Sequence, residues 1–479
     1  MASGEGGAPM KTFLSLLPIL WLIAALTVLR LKAWQAALSA LAAGIAVALA
    51  FFRDALPAAK VLPTVAEGVL FALHPICLVI LAALFTYAVT VESGAMATIR
   101  SGLARVSDDR RVQALIIVWG FGNFMEGMAG FGTAVAIPAA ILVGIGFDPL
   151  KAVLVCLIAN TTPTAFGSVG VPLATLAEKS GTDPAALCWT AAALQGAVTA
   201  AGPVLILLAL GGGRALRGMG VYLLLTEAAF LVPSLAAARF IGWELPDILG
   251  GLSVILVLGA YATRGRRIAG GGSLAFAAVP FVFVVLLLGG AACLPADLKR
   301  YASPGALVLA AGFAGGLVQR LSPARLVVLL GRTLRDYWPA FATTCAVLAL
   351  SRVMGAAEMI QTIAGTLVAA TGAAYPFVAT VVGALGGFVT GSGTSSCALF
   401  GELQARAAEA LSVPPTVLAA ANVMGAGIGK MICPQSIAIG AAAAGLAGGE
   451  SRVLKRALPW FLGVVVAACL VTALAVRLV

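Results

Sequence analysis

The sequence has little charge and a single histidine. Charged residues make up 10% of its 479 residues, whereas soluble domains average about 25%. One histidine and eight cysteines without a CxxC pair exclude the usual zinc and haem sites, and no disulfide is implied. No basic stretch is interleaved with aromatic residues, which excludes a nucleic-acid partner. We therefore expect no metal and no cofactor.

Apolar residues dominate instead, at 61% of the chain. A soluble fold cannot bury that much apolar surface, and the apolar runs recur at about 20 residues, the length that crosses a bilayer. The chain is expected to be an all-α polytopic membrane protein whose main partner is the lipid bilayer. We predict about twelve full spans, at 13–30, 34–52, 64–91, 150–176, 184–211, 218–238, 247–263, 273–293, 303–319, 337–353, 416–440 and 457–477.

Two further apolar regions, 112–147 and 375–411, are too long for one crossing, since about 36 residues of helix extend about 54 Å. Each has glycines near its middle: Gly127, Gly130 and Gly132 in the first, and Gly391 and Gly393 in the second. We predict re-entrant hairpins that enter and leave on the same side. With both chain ends outside, most of the lysines and arginines then lie in cytoplasmic loops, as is typical of inner-membrane proteins. The net charge of +11 thus reflects topology.

An internal repeat is visible in the spacing of Asn, Gly and Pro. The pattern Asn-x6-Gly-x4-Pro occurs at Asn160 and again at Asn422, and related glycines precede both copies in the same order. In the expected topology the copies have opposite orientations, which is typical of secondary transporters. We expect N-terminal spans (1–60), repeat 1 (61–212; hairpin 112–147, broken helix 150–176), connecting spans (213–302), repeat 2 (303–450; hairpin 375–411, broken helix 416–440) and a C-terminal span (451–479).

The hairpin tips and the interrupted helices are expected to form one binding site. Glycine lets backbone approach a ligand, and free amides at a helix start favour a carboxylate. Helix interruptions are predicted at residues 160–163 and 425–427, with hydroxyl and amide side chains available for substrate oxygens. The predicted binding residues are Gly130, Gly132, Thr133, Asn160, Thr161, Thr162, Gly391, Ser392, Thr394, Ser395, Asn422, Lys430 and Gln435.

Lys430 lies in an otherwise apolar helix, where its insertion costs roughly 2.5–3.5 kcal/mol. Such a cation is expected to meet an anionic substrate or to pair with an acid in its absence; the alternative is a lysine that reaches an interface. Glu126 is the leading acid and a candidate proton carrier, with a structural hydrogen bond as the alternative. His74 is a second proton-coupling candidate, although a lone histidine is more often a packed residue.

The motifs at 126–133, 160–167, 391–396 and 429–438 resemble those of the L-lactate permease family, from about residue 60 to the C-terminus. The resemblance implies a carrier in the inner (plasma) membrane of a bacterium that imports a small 2-hydroxymonocarboxylate, such as L-lactate, D-lactate or glycolate, with protons. The family typically has an acid where Gly393 stands, asparagine at Cys397, serine at Cys433 and tryptophan at His74. These departures bear on cation coupling and on the exact substrate.

Three other functions stay open. Gly-Ser-Gly-Thr-Ser loops with free carbonyls can hold Na⁺, so a sodium-coupled carboxylate or other anion carrier is the second hypothesis. An intramembrane enzyme would need a nucleophile with a base or a metal cluster, and one histidine argues against it. A channel fits the two hairpins less well than alternating access does. The oligomeric state is open, with a homodimer as one option.

Overall fold

The computed structural model describes residues 7–161, 163–263, 271–295, 302–446 and 448–478, which are mainly helical and contain no strand. Their helices are Gly7–Thr27, Ala33–Phe51, Ala58–Phe71, Leu78–Glu92, Ala95–Ala104, Arg110–Ala114, Gly122–Met128, Thr133–Gly144, Pro149–Ala159, Gly167–Ser180, Pro184–Thr199, Gly202–Gly211, Gly220–Phe240, Pro246–Thr263, Gly271–Ala277, Val279–Ala292, Pro304–Val318, Pro323–Ala356, Met359–Thr371, Tyr375–Thr390, Gly393–Leu411, Pro415–Lys430, Pro434–Ala443 and Glu450–Leu478.

The helices confirm an all-α polytopic membrane protein. Within the described residues, 8 helical stretches are long and apolar enough to cross a bilayer, or up to 10 if each of two sharply bent helix pairs is one span. Four apolar helices of 10–17 residues accompany them. The longer count of about twelve spans, with both ends outside, stays a prediction.

The two predicted repeats contain the same order of elements. In each, a long helix is followed by a short helix, a helical hairpin and a broken helix. The first hairpin comprises residues 110–144 and the second hairpin residues 375–411. The first broken helix (149–180) bends by 66° and the second broken helix (415–443) by 44°.

Proline fixes the position of the second break, which differs from the predicted one. Helix Pro415–Lys430 runs without interruption through residues 425–427, so the interruption predicted there is wrong. The chain leaves the helical conformation at Cys433 (φ −63°, ψ 130°), just before Pro434 begins the next helix. Proline disfavours the helical conformation in the residue before it and cannot donate a backbone hydrogen bond. In the first broken helix the aligned Pro172 also follows non-helical residues, at 168–170.

Gly425 and Gly427 instead allow this helix to pack closely on its neighbours. A Cβ at Gly425 would lie 2.1 Å from the Thr380 carbonyl oxygen, and one at Gly427 would lie 2.1 Å from the Thr161 carbonyl oxygen. Helix Pro415–Lys430 therefore packs backbone against backbone on both the second hairpin and the first break. Small residues commonly make such contacts between membrane helices.

Two other helices differ in length from the predicted spans. The span predicted at 337–353 belongs to a 34-residue helix that begins at Pro323. Residues 359–371, which lie outside every predicted span, form a helix that continues towards the second hairpin. The apolar pattern marks only the apolar part of a helix, so amphipathic extensions and short connecting helices are missed.

Candidate functional site

A buried ion pair joins the two repeats. The Lys430 ammonium donates a hydrogen bond to Glu126 Oε1 at 2.6 Å, and the two side chains are 8% and 4% exposed. Lys430 is the last residue of helix Pro415–Lys430, where the negative end of the helix dipole favours a cation. Glu126 lies in helix Gly122–Met128, just before the tip of the first hairpin. The structure thus brings together the two charged residues that the sequence had singled out.

The first broken helix positions the carboxylate of Glu126. The Asn160 amide donates a hydrogen bond to Glu126 Oε2 at 2.9 Å, so each carboxylate oxygen has a donor. Gly167 leaves room for this carboxylate, because a Cβ there would lie 2.9 Å from Oε1. Asn160 and Gly167 are the first two members of the repeated spacing motif, and both contact the same acid.

Each hairpin tip contacts the broken helix of the other repeat. A Cβ on Gly132, at the tip of the first hairpin, would lie 2.9 Å from Ile439 in the second broken helix. A Cβ on Gly393, at the tip of the second hairpin, would lie 2.6 Å from Thr164 Cγ2 in the first broken helix. The four interrupted segments therefore meet at one place in the molecule.

The tip of the first hairpin is a tight left-handed turn. Gly130 (φ 61°), Phe131 (φ 50°) and Gly132 (φ 84°) all have positive φ, a conformation that glycine adopts without strain. The Gly130 carbonyl oxygen accepts a hydrogen bond from the Thr133 hydroxyl at 2.8 Å. Ser168, from the first broken helix, donates a hydrogen bond to the Ala129 carbonyl at 3.1 Å. Hydroxyl groups from two segments thus hold the tip in place.

The tip of the second hairpin is capped at its following helix. The Ser392 hydroxyl accepts a hydrogen bond from the Ser395 amide at 3.2 Å, while Thr394 is partly buried in the same first turn. Gly391 (φ 66°) lies against Gln435, whose amide oxygen would be 2.8 Å from a Cβ at this glycine. These predicted residues form one polar cluster beside the second break.

Three of the predicted residues lie away from the ion pair or outside the residues that the structure describes. Asn422 is fully buried, and its side-chain oxygen accepts a hydrogen bond from Gln404 at 3.4 Å. His74 is exposed, in a kinked turn that packs on helices Leu78–Glu92 and Pro323–Ala356. Thr161 is buried beside Asn160, but Thr162 lies outside the described residues.

The sequence did not single out Asp247, which lies beside the ion pair. It is 2% exposed, it occupies the first turn of helix Pro246–Thr263, and it lies within electrostatic range of Glu126 and Lys430. A Cβ on Gly127, the residue after Glu126, would lie 2.8 Å from Asp247 Cβ. No sequence signal placed it here, because an acid in the first turn of a helix is ordinary.

This arrangement is a buried cation paired with a buried anion. Glu126 neutralises Lys430, and each is followed by irregular backbone: residues 130–132 have positive φ, and Lys430 ends its helix. Buried charges require pairing, so an incoming carboxylate can bind Lys430 only by replacing or sharing the contact with Glu126.

Comparison with known proteins places the chain in a family. The model of the L-lactate permease family matches residues 11–266 and 276–479. The chain belongs to this family. A family member from Streptococcus iniae, an L-lactate permease, is 38% identical over 86% of this chain and 93% of its own length. The L-lactate permease and the Glycolate permease GlcA of Escherichia coli K12 are each 32% identical over 94% of this chain and 93% of their own lengths. Membership confirms the resemblance seen in the motifs and fits a multi-pass membrane permease.

Proposed function

We propose that the protein is a secondary transporter that imports a small 2-hydroxymonocarboxylate together with protons across the inner membrane of a bacterium. L-lactate is the leading substrate, and D-lactate and glycolate are further candidates for the same site. Relatives named as lactate and glycolate permeases support this substrate class. The site fits this substrate class as well, since Lys430 can bind a carboxylate and the polar groups of the hairpin tips can bind a hydroxyl next to it.

The observation that carries the proposal is the Lys430–Glu126 ion pair. A substrate carboxylate takes the place of Glu126 as the partner of Lys430. The neighbouring hydroxyls and amides, from Thr133, Ser392 and Ser395, then serve the substrate's hydroxyl and second carboxylate oxygen. A single buried cation suits a monocarboxylate, because a dicarboxylate would bring a second buried charge without a partner.

Proton coupling follows from charge balance at the same pair. When the substrate carboxylate pairs with Lys430, Glu126 loses the cation that neutralised it. A buried carboxylate without a cation is costly. A proton on Glu126 removes that cost, which makes substrate and proton bind together. This step supports Glu126, rather than the exposed His74, as the first candidate for the proton carrier.

Uptake of labelled L-lactate into proteoliposomes tests the proposal. An inward H⁺ gradient should drive accumulation, while a Na⁺ gradient of equal size should not. Unlabelled glycolate should compete, and succinate should not. Accumulation driven by Na⁺ alone would refute proton coupling and support a sodium-coupled carrier. Absence of uptake for every 2-hydroxymonocarboxylate would refute the substrate class.

The variant Glu126→Gln tests the coupling step separately. It keeps the shape of the side chain and a hydrogen-bond acceptor for Lys430, but it cannot release a proton. We expect this variant to exchange lactate across the membrane at equal pH and to lose accumulation driven by a pH gradient. Accumulation that follows the proton gradient as steeply as in wild type would exclude Glu126 as a proton carrier.

A further inference from the structure

Asp247 is a second buried acid at the site, and it has no role in the coupling step proposed for Glu126. The ion pair contains one cation, whereas the surrounding space contains two carboxyl groups. Glu126 receives a hydrogen bond at each of its oxygens, from Lys430 and from Asn160. Asp247 Oδ2 is buried and has no hydrogen-bond partner in the described part of the chain. A buried carboxylate without a donor is costly, whereas a carboxyl group that holds a proton is not.

A small cavity with a mostly apolar lining adjoins Asp247. Its volume is about 20 Å³, enough for one water molecule, and Asp247, Gln195, Thr199 and Ser234 contribute to its lining. Gln195 is 4% exposed, and neither its amide nitrogen nor its amide oxygen has a hydrogen-bond partner among the described residues. Two buried side chains with unsatisfied polar atoms therefore line a cavity with room for one water molecule.

The charges that face Asp247 come from the two repeats. Helix Gly122–Met128 contributes Glu126, and the second broken helix contributes Lys430; both act electrostatically on Asp247. Helix Gly220–Phe240 also packs on Pro246–Thr263, the helix that contains Asp247. The charged residues of Gly220–Phe240 are Glu227 and Arg239. Ser234, on that same helix, donates to the Pro246 carbonyl at 2.8 Å, so Glu227 lies about two turns before the contact and Arg239 more than a turn after it.

We infer that Asp247 is a second proton-binding acid of the transporter, and that a proton on it strengthens substrate binding at Lys430. With Asp247 ionised, two carboxylates surround one ammonium, and the site is negative before an anion arrives. A proton on Asp247 removes one negative charge and so removes repulsion towards the substrate carboxylate. Since the coupling is reciprocal, the bound substrate also strengthens proton binding at Asp247. No contact between Asp247 and the substrate is required.

The inference rests on the proposed carboxylate transport, and Asp247→Asn tests it. Asparagine imitates the neutral, protonated acid at nearly the same size. The assay is equilibrium exchange of labelled L-lactate in proteoliposomes at equal pH on both sides, with KM measured at acidic and alkaline pH. We expect the wild-type KM to rise about tenfold towards alkaline pH, within the usual range of coupling between sites. In Asp247→Asn this rise should fall from about tenfold to about threefold, because the proton on Glu126 still contributes.

A matched control is Glu227→Gln. Both carboxylate oxygens of Glu227 are buried without a partner among the described residues, as Oδ2 of Asp247 is. Glu227 lies about two turns of helix away from Ser234, which contacts Pro246. This variant should keep the wild-type dependence of KM on pH. If Glu227→Gln abolishes that dependence and Asp247→Asn does not, the inference is overturned.

Gln195→Met gives a second reading if Asp247→Asn does not fold. It removes the amide from the cavity and leaves Asp247 unchanged, so the dependence of KM on pH should weaken; full retention of that dependence would count against the cavity as the proton route. A wild-type KM that is independent of pH would defeat proton coupling itself. Wild-type dependence that persists in Asp247→Asn would defeat only the role of Asp247.

Discussion

The strongest prediction concerns the removal of one or both charges of the Lys430–Glu126 pair. Lys430→Met replaces the ammonium by an apolar group of similar length and leaves Glu126 buried without its cation. The Asn160 amide then remains as the donor to this carboxylate. Glu126→Gln in the same chain removes the stranded charge, so the double variant contains a neutral pair in the same space.

The size of the effect follows from the geometry. The two side chains are only 8% and 4% exposed and are joined by a 2.6 Å contact, so water stabilises neither charge. Breaking a buried pair by removing one partner typically costs about 3–5 kcal/mol, whereas replacing both partners is often close to neutral. We therefore expect a clear fall in thermal stability for Lys430→Met and recovery of most of it in Lys430→Met/Glu126→Gln.

Thermal unfolding in detergent and lactate uptake in proteoliposomes measure the two consequences. The single variant should be destabilised and inactive; the double variant should be stable and still inactive, because the cation for the substrate is missing. Recovery of uptake together with stability would show that the pair is structural and would refute its role in binding. Wild-type stability in Lys430→Met would show that the pair contributes nothing measurable to the fold.

Two further predictions use glycines of the site. Gly167→Ala should lower uptake roughly tenfold, because the new Cβ would lie 2.9 Å from Glu126 Oε1 and would displace this carboxylate. Gly393→Ala should cost about 1–3 kcal/mol of stability by overpacking, since its Cβ would lie 2.6 Å from Thr164 Cγ2. Thr164→Ser should relieve the second clash, because it removes that methyl group and keeps the hydroxyl that donates to a backbone carbonyl at 3.0 Å. Uptake and thermal unfolding check these variants against Gly463→Ala, a site with open space around it; equal effects at all three glycines would contradict the reasoning.

The architecture was largely predictable because membrane burial leaves a direct record in the sequence. Apolar runs gave the helices, and the repeated Asn-x6-Gly-x4-Pro spacing gave the order of the broken helices. The same reasoning misplaced the second break. The glycines predict an interruption at residues 425–427, but in a membrane protein glycine also allows close helix packing. The next helix instead begins at Pro434.

The site was predictable where a residue was unusual for its surroundings. Lys430 stood out as a charge in an apolar helix, and Glu126 as an acid at the tip of the first predicted hairpin. Their direct contact spans 304 positions of sequence, and only the fold shows it. Asp247 carried no such signal: it follows a proline at a helix start, a usual place for an acid, and its proximity to Gly127 depends on how two helices pack. Contacts of this kind arise from tertiary structure and leave no local pattern.

In the proposed mechanism, Lys430 holds the carboxylate of the substrate. Equilibrium binding of labelled L-lactate to the purified, folded double variant Lys430→Met/Glu126→Gln measures this contact, with wild type and Glu126→Gln measured alongside. We predict binding by wild type and Glu126→Gln and no measurable binding by the double variant. Binding of lactate by the double variant with wild-type affinity would contradict the claim.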